Sequence, residues 1–96
     1  MTRGGGWQIE FLPAARRELL ALRDPIQDRI RIAIRALADD AEPADSIEMR
    51  DRGTGLRRLR VGNYRVIYRV QDQRLCVLVI RIGHRSDVYR GFDAMP

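Results

Sequence analysis

Residues 56–89, LRRLRVGNYRVIYRVQDQRLCVLVIRIGHRSDVY, contain the longest apolar run and the densest arginine of this chain. The first half alternates apolar and basic residues, and a period of two is typical of a β-strand. Gly62-Asn63 interrupts the alternation and predicts a two-residue hairpin turn, since glycine adopts positive φ without strain. The expected register puts Val61 opposite Tyr64, Arg60 opposite Arg65, and Arg58 opposite Ile67.

This register sorts the side chains onto two faces, because residues directly opposite each other in a hairpin share a face. One face is apolar, and the other carries four arginines: Arg58, Arg60, Arg65 and Arg69. Like charges facing each other destabilise a sheet unless a polyanion neutralises them. We interpret Arg58, Arg60 and Arg65 as a phosphate-binding patch. For Arg69 we favour a solvated edge, which protects a sheet from aggregation.

The composition fits one domain with one modest core. The chain has 96 residues and a net charge of +5, and all 18 basic residues are arginine. Arginine forks onto phosphate and stacks on bases, so the bias suits a nucleic-acid partner. The base composition of the coding DNA would also explain the bias, and a basic protein can equally bind an acidic protein.

Several classes of protein are disfavoured by the residue types. Cys76 is the single cysteine, so no disulfide can form within the chain. One histidine, one cysteine and scattered carboxylates offer no metal-ligand spacing, and residues 4–6 are glycines that precede a strand and do not form a nucleotide loop. We therefore expect no metal and no cofactor. No signal peptide or membrane-length apolar segment is visible, which predicts a cytoplasmic protein.

The part before the hairpin predicts a strand followed by two helices. Residues 1–6 are expected to form a flexible tail, and residues 7–96 a single domain that opens with a strand at 7–11. Pro13 suits the first turn of a helix. Asp24-Pro25 indicates the end of this helix and the start of a second one, with Asp24 as the N-cap of the second helix. Because the connection is short, the two helices are expected to form an antiparallel hairpin. The helices' apolar stripes are Leu12, Ala15, Leu19 and Leu22, then Ile26, Ile30, Ala33, Ile34 and Leu37.

Residues 39–55 are interpreted as a loop, because they contain Asp-Asp, proline and two glycines. Three antiparallel strands follow, and the run at 75–82 is apolar enough to be covered on both faces. The predicted fold is thus α+β: an N-terminal strand, an α-helical hairpin and a three-stranded meander, forming one mainly antiparallel four-stranded sheet.

The same residues carry a resemblance to a known family. The element order, the segment LRRLRVGNYRVIY at 56–68 and the segment VIRIGHRSDVYR at 79–90 resemble the RelE/ParE toxin superfamily, and most closely its RelE-like branch. The resemblance covers nearly the whole chain after Gly6. It implies the toxin of a type II toxin–antitoxin pair. RelE-like members cleave mRNA in the ribosomal A site, whereas ParE-like members poison DNA gyrase.

The resemblance also implies roles for individual residues. Basic residues before the hairpin match Arg58, with Arg57 and Arg60 as RNA- or phosphate-binding neighbours. Arg65, Arg85 and Tyr89 match groups that bind the scissile phosphate, handle protons or stack on the nucleotide. Arginines stand where the family pattern has lysines, and the segment between Arg85 and Tyr89 is shorter than in that pattern.

The expected chemistry is metal-independent cleavage of RNA by its own 2′-hydroxyl, which needs a base, a charge clamp and an acid. Arginine suits the clamp but is a poor base. Tyr89 and His84 remain open as the base, and Glu48 is a distant third candidate. The implied partners are an antitoxin, the ribosome and mRNA, with operator DNA bound only by the toxin–antitoxin pair. A gyrase poison and a non-catalytic nucleic-acid-binding protein remain alternatives.

Overall fold

The structure is a computed structural model, and it describes residues 6–49 and 55–88. The expected tail therefore lies outside the described residues apart from Gly6, and the single domain over 7–96 stays a prediction. In chain order the elements are β1 Gln8–Phe11, α1 Pro13–Leu20, α2 Ile26–Ala36, β2 Ser46–Glu48, β3 Leu56–Val61, β4 Tyr64–Gln71, a 3₁₀ turn Asp72–Arg74 and β5 Cys76–His84. None of the described helices is both long and apolar enough to cross a membrane.

The α+β class is confirmed, but the predicted four-stranded sheet is wrong by one strand. The sheet has five strands in the order β1-β5-β4-β3-β2. Strand β1 runs parallel to β5, and the other pairs are antiparallel. The additional strand is β2, which lies inside the segment predicted to be a loop. It has only 3 residues and forms because β3 offers it a partner, so its local composition gives little sign of it.

The β3–β4 hairpin has the predicted register. Val61 pairs with Tyr64, Arg60 with Arg65, and Arg58 with Ile67. Gly62 adopts a φ of +60°, as the turn requires. The two faces predicted from sequence alternation are therefore present, because the turn sets which residues stand opposite each other.

A β-bulge in β5 determines which apolar residues of that strand reach the core. The register with β4 shifts between Ile67, which pairs with Arg81, and Tyr68, which pairs with Val79. Val79 and Ile82 are three residues apart and would lie on opposite faces of a regular strand. The extra residue in the bulge brings both onto the same face, where both are buried.

The two helices cover one face of the sheet, which we call the helix side. Pro13 opens α1, as predicted, whereas α2 begins at Ile26 with Pro25 as its N-cap and without a side-chain cap, so the cap assigned to Asp24 is wrong. Ile32 projects outward from α2 and is 65% exposed. The buried core between the helices and the sheet consists of Ala15, Leu19, Ile30, Ile34, Leu37, Ala41, Leu59, Val66, Tyr68, Val77, Val79 and Ile82.

Candidate functional site

The sheet face opposite the helices, which we call the outer face, carries a basic groove. This face contains Arg58, Arg60 and Arg65, as the alternation predicted. Across β3 and β4, Arg60 pairs with Arg65 and Arg58 pairs with Ile67, and paired residues lie on the same face. They border an open depression of about 220 Å³. We call it the arginine groove; it is lined by Ala44, Asp45, Ile47, Arg58, Arg60 and Arg65.

One wall of the arginine groove comes from the strand that the sequence did not reveal. Ile47 pairs with Arg58, and the backbone N–H of Arg60 donates to the carbonyl oxygen of Asp45 at 3.0 Å. This hydrogen bond extends the pairing by one residue and puts Asp45 beside Arg60 on the outer face. A β-branched residue between polar neighbours, Ser46-Ile47-Glu48, is the only local signal that could have identified the wall.

The guanidinium group of Arg65 is held over the hairpin turn. Its Nη1 donates to the carbonyl oxygens of Gly62 and Tyr64, both at 2.9 Å. A guanidinium group has five N–H donors in total, so about three remain for another acceptor. Arg60 is exposed, and Arg65 is half-buried. The groove therefore combines a partly fixed cation with an exposed one, which suits binding of an anion with several oxygens.

Arg57, predicted as a neighbouring RNA contact, lies on the helix side. It pairs with Tyr68, whose side chain is buried. Its Nη2 donates to the Ser46 Oγ at 3.0 Å and to the Ser46 carbonyl oxygen at 3.3 Å. The Ser46 Oγ donates in turn to the Pro43 carbonyl oxygen at 2.8 Å. Arg57 is thus separated from the arginine groove by the sheet itself and anchors the backbone of β2.

A buried tyrosine completes this anchor. The hydroxyl group of Tyr68 donates to the carbonyl oxygen of Ala41 at 2.7 Å. Burial raises the pKa of Tyr68 above its ordinary value, although hydrogen bonds with Ser46 and Arg57 act in the opposite direction. Tyr68 therefore ties the segment before β2 to the centre of the sheet.

His84 also lies on the helix side, and Arg85 lies at the hairpin turn. His84 pairs with Tyr64, and the two rings meet edge to face with centroids 5.5 Å apart. The Nδ1 of His84 accepts the backbone N–H of Ser86 at 3.2 Å, so this histidine holds the turn after β5. The N–H of Arg85 donates to the Asn63 carbonyl oxygen at 2.8 Å, and its side chain is exposed.

The two other candidates for proton transfer are Tyr89 and Glu48. Tyr89 lies outside the described residues, so its role stays a prediction. The residue before it, Val88, is buried and packs over Gly83, where an added Cβ would lie 3.5 Å from the Val88 Cα. Gly83 pairs with Arg65, so the described chain ends beside the outer face. Glu48 pairs with Arg57 and therefore belongs to the helix side.

Glu18 and Cys76 are two further ionisable groups near the sheet. Beyond the end of β1, the carboxylate of Glu18 accepts the Ile82 N–H at 2.8 Å and lies 3.4 Å from the guanidinium of Arg81. Glu18 thus satisfies the edge of β5 where no strand covers it. Burial raises the pKa of the Cys76 thiol, as expected of a core residue. Across residues 6–49 and 55–88, no group of three or more His, Cys, Asp or Glu side chains is arranged to hold a metal ion.

The sequence matches a family model described as the ParE toxin of the type II toxin–antitoxin system parDE, over residues 9–89. The chain belongs to this toxin family, within the RelE/ParE superfamily. It is also 45% identical over 31 residues to toxin RelG of Mycobacterium tuberculosis; that match covers 32% of this chain and 36% of RelG, so it spans about a third of the relative.

Solved structures of RelE toxins share the fold. The RelE–RelB complex of Pyrococcus horikoshii superposes with a TM-score of 0.75 at 22% identity, over 85% of this chain and 98% of that one. The RelBE2 toxin–antitoxin complex of M. tuberculosis has a TM-score of 0.60 at 30% identity, over 86% and 95%. The intact RelBE complex of E. coli has a TM-score of 0.67 at 22% identity, over 82% and 96%.

Proposed function

We propose that this toxin cleaves mRNA on the ribosome, with the arginine groove as its RNA-binding surface. The observation that carries the proposal is the convergence of Arg58, Arg60 and Arg65 on one open face that the helices leave uncovered. The likeness to RelE toxins supports the same reading.

The groove suits a phosphate in the transition state of RNA cleavage. Attack of the 2′-oxygen builds negative charge on the phosphorus oxygens, and preorganised donors stabilise that charge most effectively. Arg65 is the best placed, because two hydrogen bonds to the hairpin already orient its guanidinium group. Arg58 and Arg60 alternate along β3, so their positions repeat about every 7 Å and can contact neighbouring phosphates.

The residues around the hairpin turn extend the proposed surface. Arg85 is exposed and tied through its backbone to Asn63, which puts a further cation within the same region. Tyr89 follows Val88, which packs beside the outer face, and we propose that it contacts the nucleotide or handles a proton. Arg57 and His84 are not included in the proposed surface because both lie on the helix side.

Primer extension on mRNA, with and without ribosomes, tests the proposal. The wild-type protein should cut within codons only when ribosomes are present, because the ribosome supplies positioning of the RNA. Arg65→Glu should abolish the cuts. Arg17→Glu, the same charge change at an exposed position of α1, is the matched control and should retain them. Full cleavage by Arg65→Glu would contradict the assigned role of the groove.

A gyrase-poisoning activity is the second candidate, because the matched family model is that of ParE toxins. This function needs no RNA chemistry and predicts that purified protein inhibits DNA gyrase while translation extracts remain active. Parallel supercoiling and translation assays separate the two candidates. Inhibition of gyrase alone would replace the RNA-cleavage proposal.

We also propose that an antitoxin protein neutralises this toxin, since the similar structures include RelE–RelB complexes. The expected antitoxin is partly disordered until it binds, and the pair would bind operator DNA together in the cytoplasm. Co-expression with the product of an adjacent gene, followed by co-purification, tests the pairing. An antitoxin that binds should also restore growth to cells that express the toxin.

A further inference from the structure

The arginine groove contains one carboxylate among its described lining residues, that of Asp45. Asp45 is exposed and lies on the outer face beside Arg60. A carboxylate in a groove that three arginines also line weakens a purely phosphate-binding surface, because it repels the same anion that the arginines attract. Its presence therefore calls for a chemical role beyond charge.

The backbone around Asp45 is fixed from two sides. Its carbonyl oxygen accepts the Arg60 N–H at 3.0 Å, which ties it to β3. The next residue, Ser46, is buried and held by Arg57 at 3.0 Å and by Pro43 at 2.8 Å. This anchoring holds the backbone from which the carboxylate projects, and positioned groups are what proton transfer in a transition state requires.

The other candidate bases do not line this groove. Glu48 and His84 lie on the helix side, and His84 uses its Nδ1 to hold Ser86. Arginine side chains stay protonated in proteins and cannot accept the proton of a 2′-hydroxyl group. Within residues 6–49 and 55–88, Asp45 is therefore the group of the groove that can act as a base.

We infer that Asp45 is the general base of RNA cleavage in the arginine groove; this inference rests on the proposed function. The Asp45 carboxylate takes the proton of the 2′-hydroxyl group as the 2′-oxygen forms a bond to phosphorus. The bond from phosphorus to the 5′-oxygen breaks, and that oxygen takes a proton from water or a nearby acid. The products are a 2′,3′-cyclic phosphate and a 5′-hydroxyl end, and Asp45 returns its proton to water.

Single-turnover cleavage of ribosome-bound mRNA, measured beside RNA affinity, tests this role. Asp45→Asn should lower the cleavage rate about 10²- to 10⁴-fold, the usual share of general acid–base catalysis. Binding of an RNA with a 2′-O-methyl group at the scissile nucleotide should be unchanged or tighter, since a negative charge has left the groove. Asp45→Ala should regain part of its rate in added formate, whereas a merely structural role gives no such rescue.

Two further variants make the result decisive. Asp28→Asn removes an exposed carboxylate on α2 and should cleave at the wild-type rate. Glu48→Gln tests the rival carboxylate three residues from Asp45. If the wild-type protein cleaves RNA, an unaltered cleavage rate in Asp45→Asn would overturn the inference and leave the proposed function intact. Loss of the cleavage rate in Glu48→Gln alone would have the same consequence. A wild-type protein that binds ribosomes but never cuts RNA would overturn both.

Discussion

The two faces of the sheet are formed by the same strands but differ in burial and charge. The helix side buries Leu59, Val66 and Tyr68 against the helices, and the Tyr68 hydroxyl group donates to a backbone carbonyl oxygen. The outer face keeps Arg60 exposed and leaves a groove open to solvent. The first arrangement stabilises the fold, whereas the second holds like charges together at a cost in stability. Such a division supports our proposal that the outer face binds RNA.

Neighbouring arginines on β3 show the same division within one strand. Arg57 points to the helix side and bonds Ser46, and Arg58 and the next alternate residue, Arg60, border the groove. These side chains are chemically identical, so what each one contacts depends on the face of the pleated strand from which it projects. Substitutions on the two faces should therefore separate stability from RNA binding.

The largest effect is expected in the core of the helix side. Ile30 is completely buried between α2 and the sheet, so Ile30→Ala leaves a cavity. We expect the free energy of unfolding to fall by about 2–5 kcal/mol. Urea denaturation followed by circular dichroism measures the change. An equal loss of stability in Arg60→Ala, at an exposed position of the outer face, would contradict the comparison between the faces.

Tyr68→Phe should have the next largest effect, because it leaves the Ala41 carbonyl oxygen without its buried donor. We expect a loss of about 1–3 kcal/mol at neutral pH, again by urea denaturation. The raised pKa of Tyr68 also makes stability depend on pH, because the folded state favours the protonated phenol. The contribution of this phenol to the free energy of unfolding is complete below about pH 10, the pKa of an unfolded tyrosine, and is lost as the pH rises through the folded pKa.

The alkaline loss of stability should therefore be smaller in Tyr68→Phe than in the wild-type protein. Unfolding titrations between about pH 9 and pH 11 compare the two slopes. Tyr64→Phe is the matched control, because Tyr64 lies on the same face but is only half-buried. Equal slopes in Tyr68→Phe and the wild-type protein would contradict the assignment.

A smaller effect on stability is expected from Arg57→Gln. The change removes the guanidinium bonds to Ser46 and should cost about 1 kcal/mol. The salt dependence of RNA binding should remain that of the wild-type protein, because the Arg57 side chain lies on the helix side. A weaker salt dependence would show that Arg57 contacts phosphate after all.

Arg60→Gln should have the smallest effect on stability and should specifically weaken RNA binding. Removal of the like-charge pair with Arg65 should leave the free energy of unfolding within about 1 kcal/mol of wild type or slightly raise it. The slope of log affinity for single-stranded RNA against log salt should fall by about 0.7 in magnitude, the value for one lost phosphate contact. Filter binding at several salt concentrations measures this slope for Arg57→Gln and Arg60→Gln side by side.

Local sequence patterns predicted much of the fold and part of the site. Alternation together with Gly62-Asn63 gave the hairpin register, and the 3.6-residue period gave the buried stripe of α2. The shared face of Arg58, Arg60 and Arg65 followed from the same alternation. These features are predictable because each depends on residues only a few positions apart.

Local sequence patterns were sufficient to predict the helices, the hairpin and the row of arginines, since backbone periodicity fixes where neighbouring side chains point. The tertiary structure alone decided the pairing of β2 with β3, the bulge that buries both Val79 and Ile82, and the separation of His84 from the groove. It also brought Asp45 beside Arg60. Each of these depends on hydrogen bonds between segments distant in sequence, and such partners leave no periodic pattern in either segment.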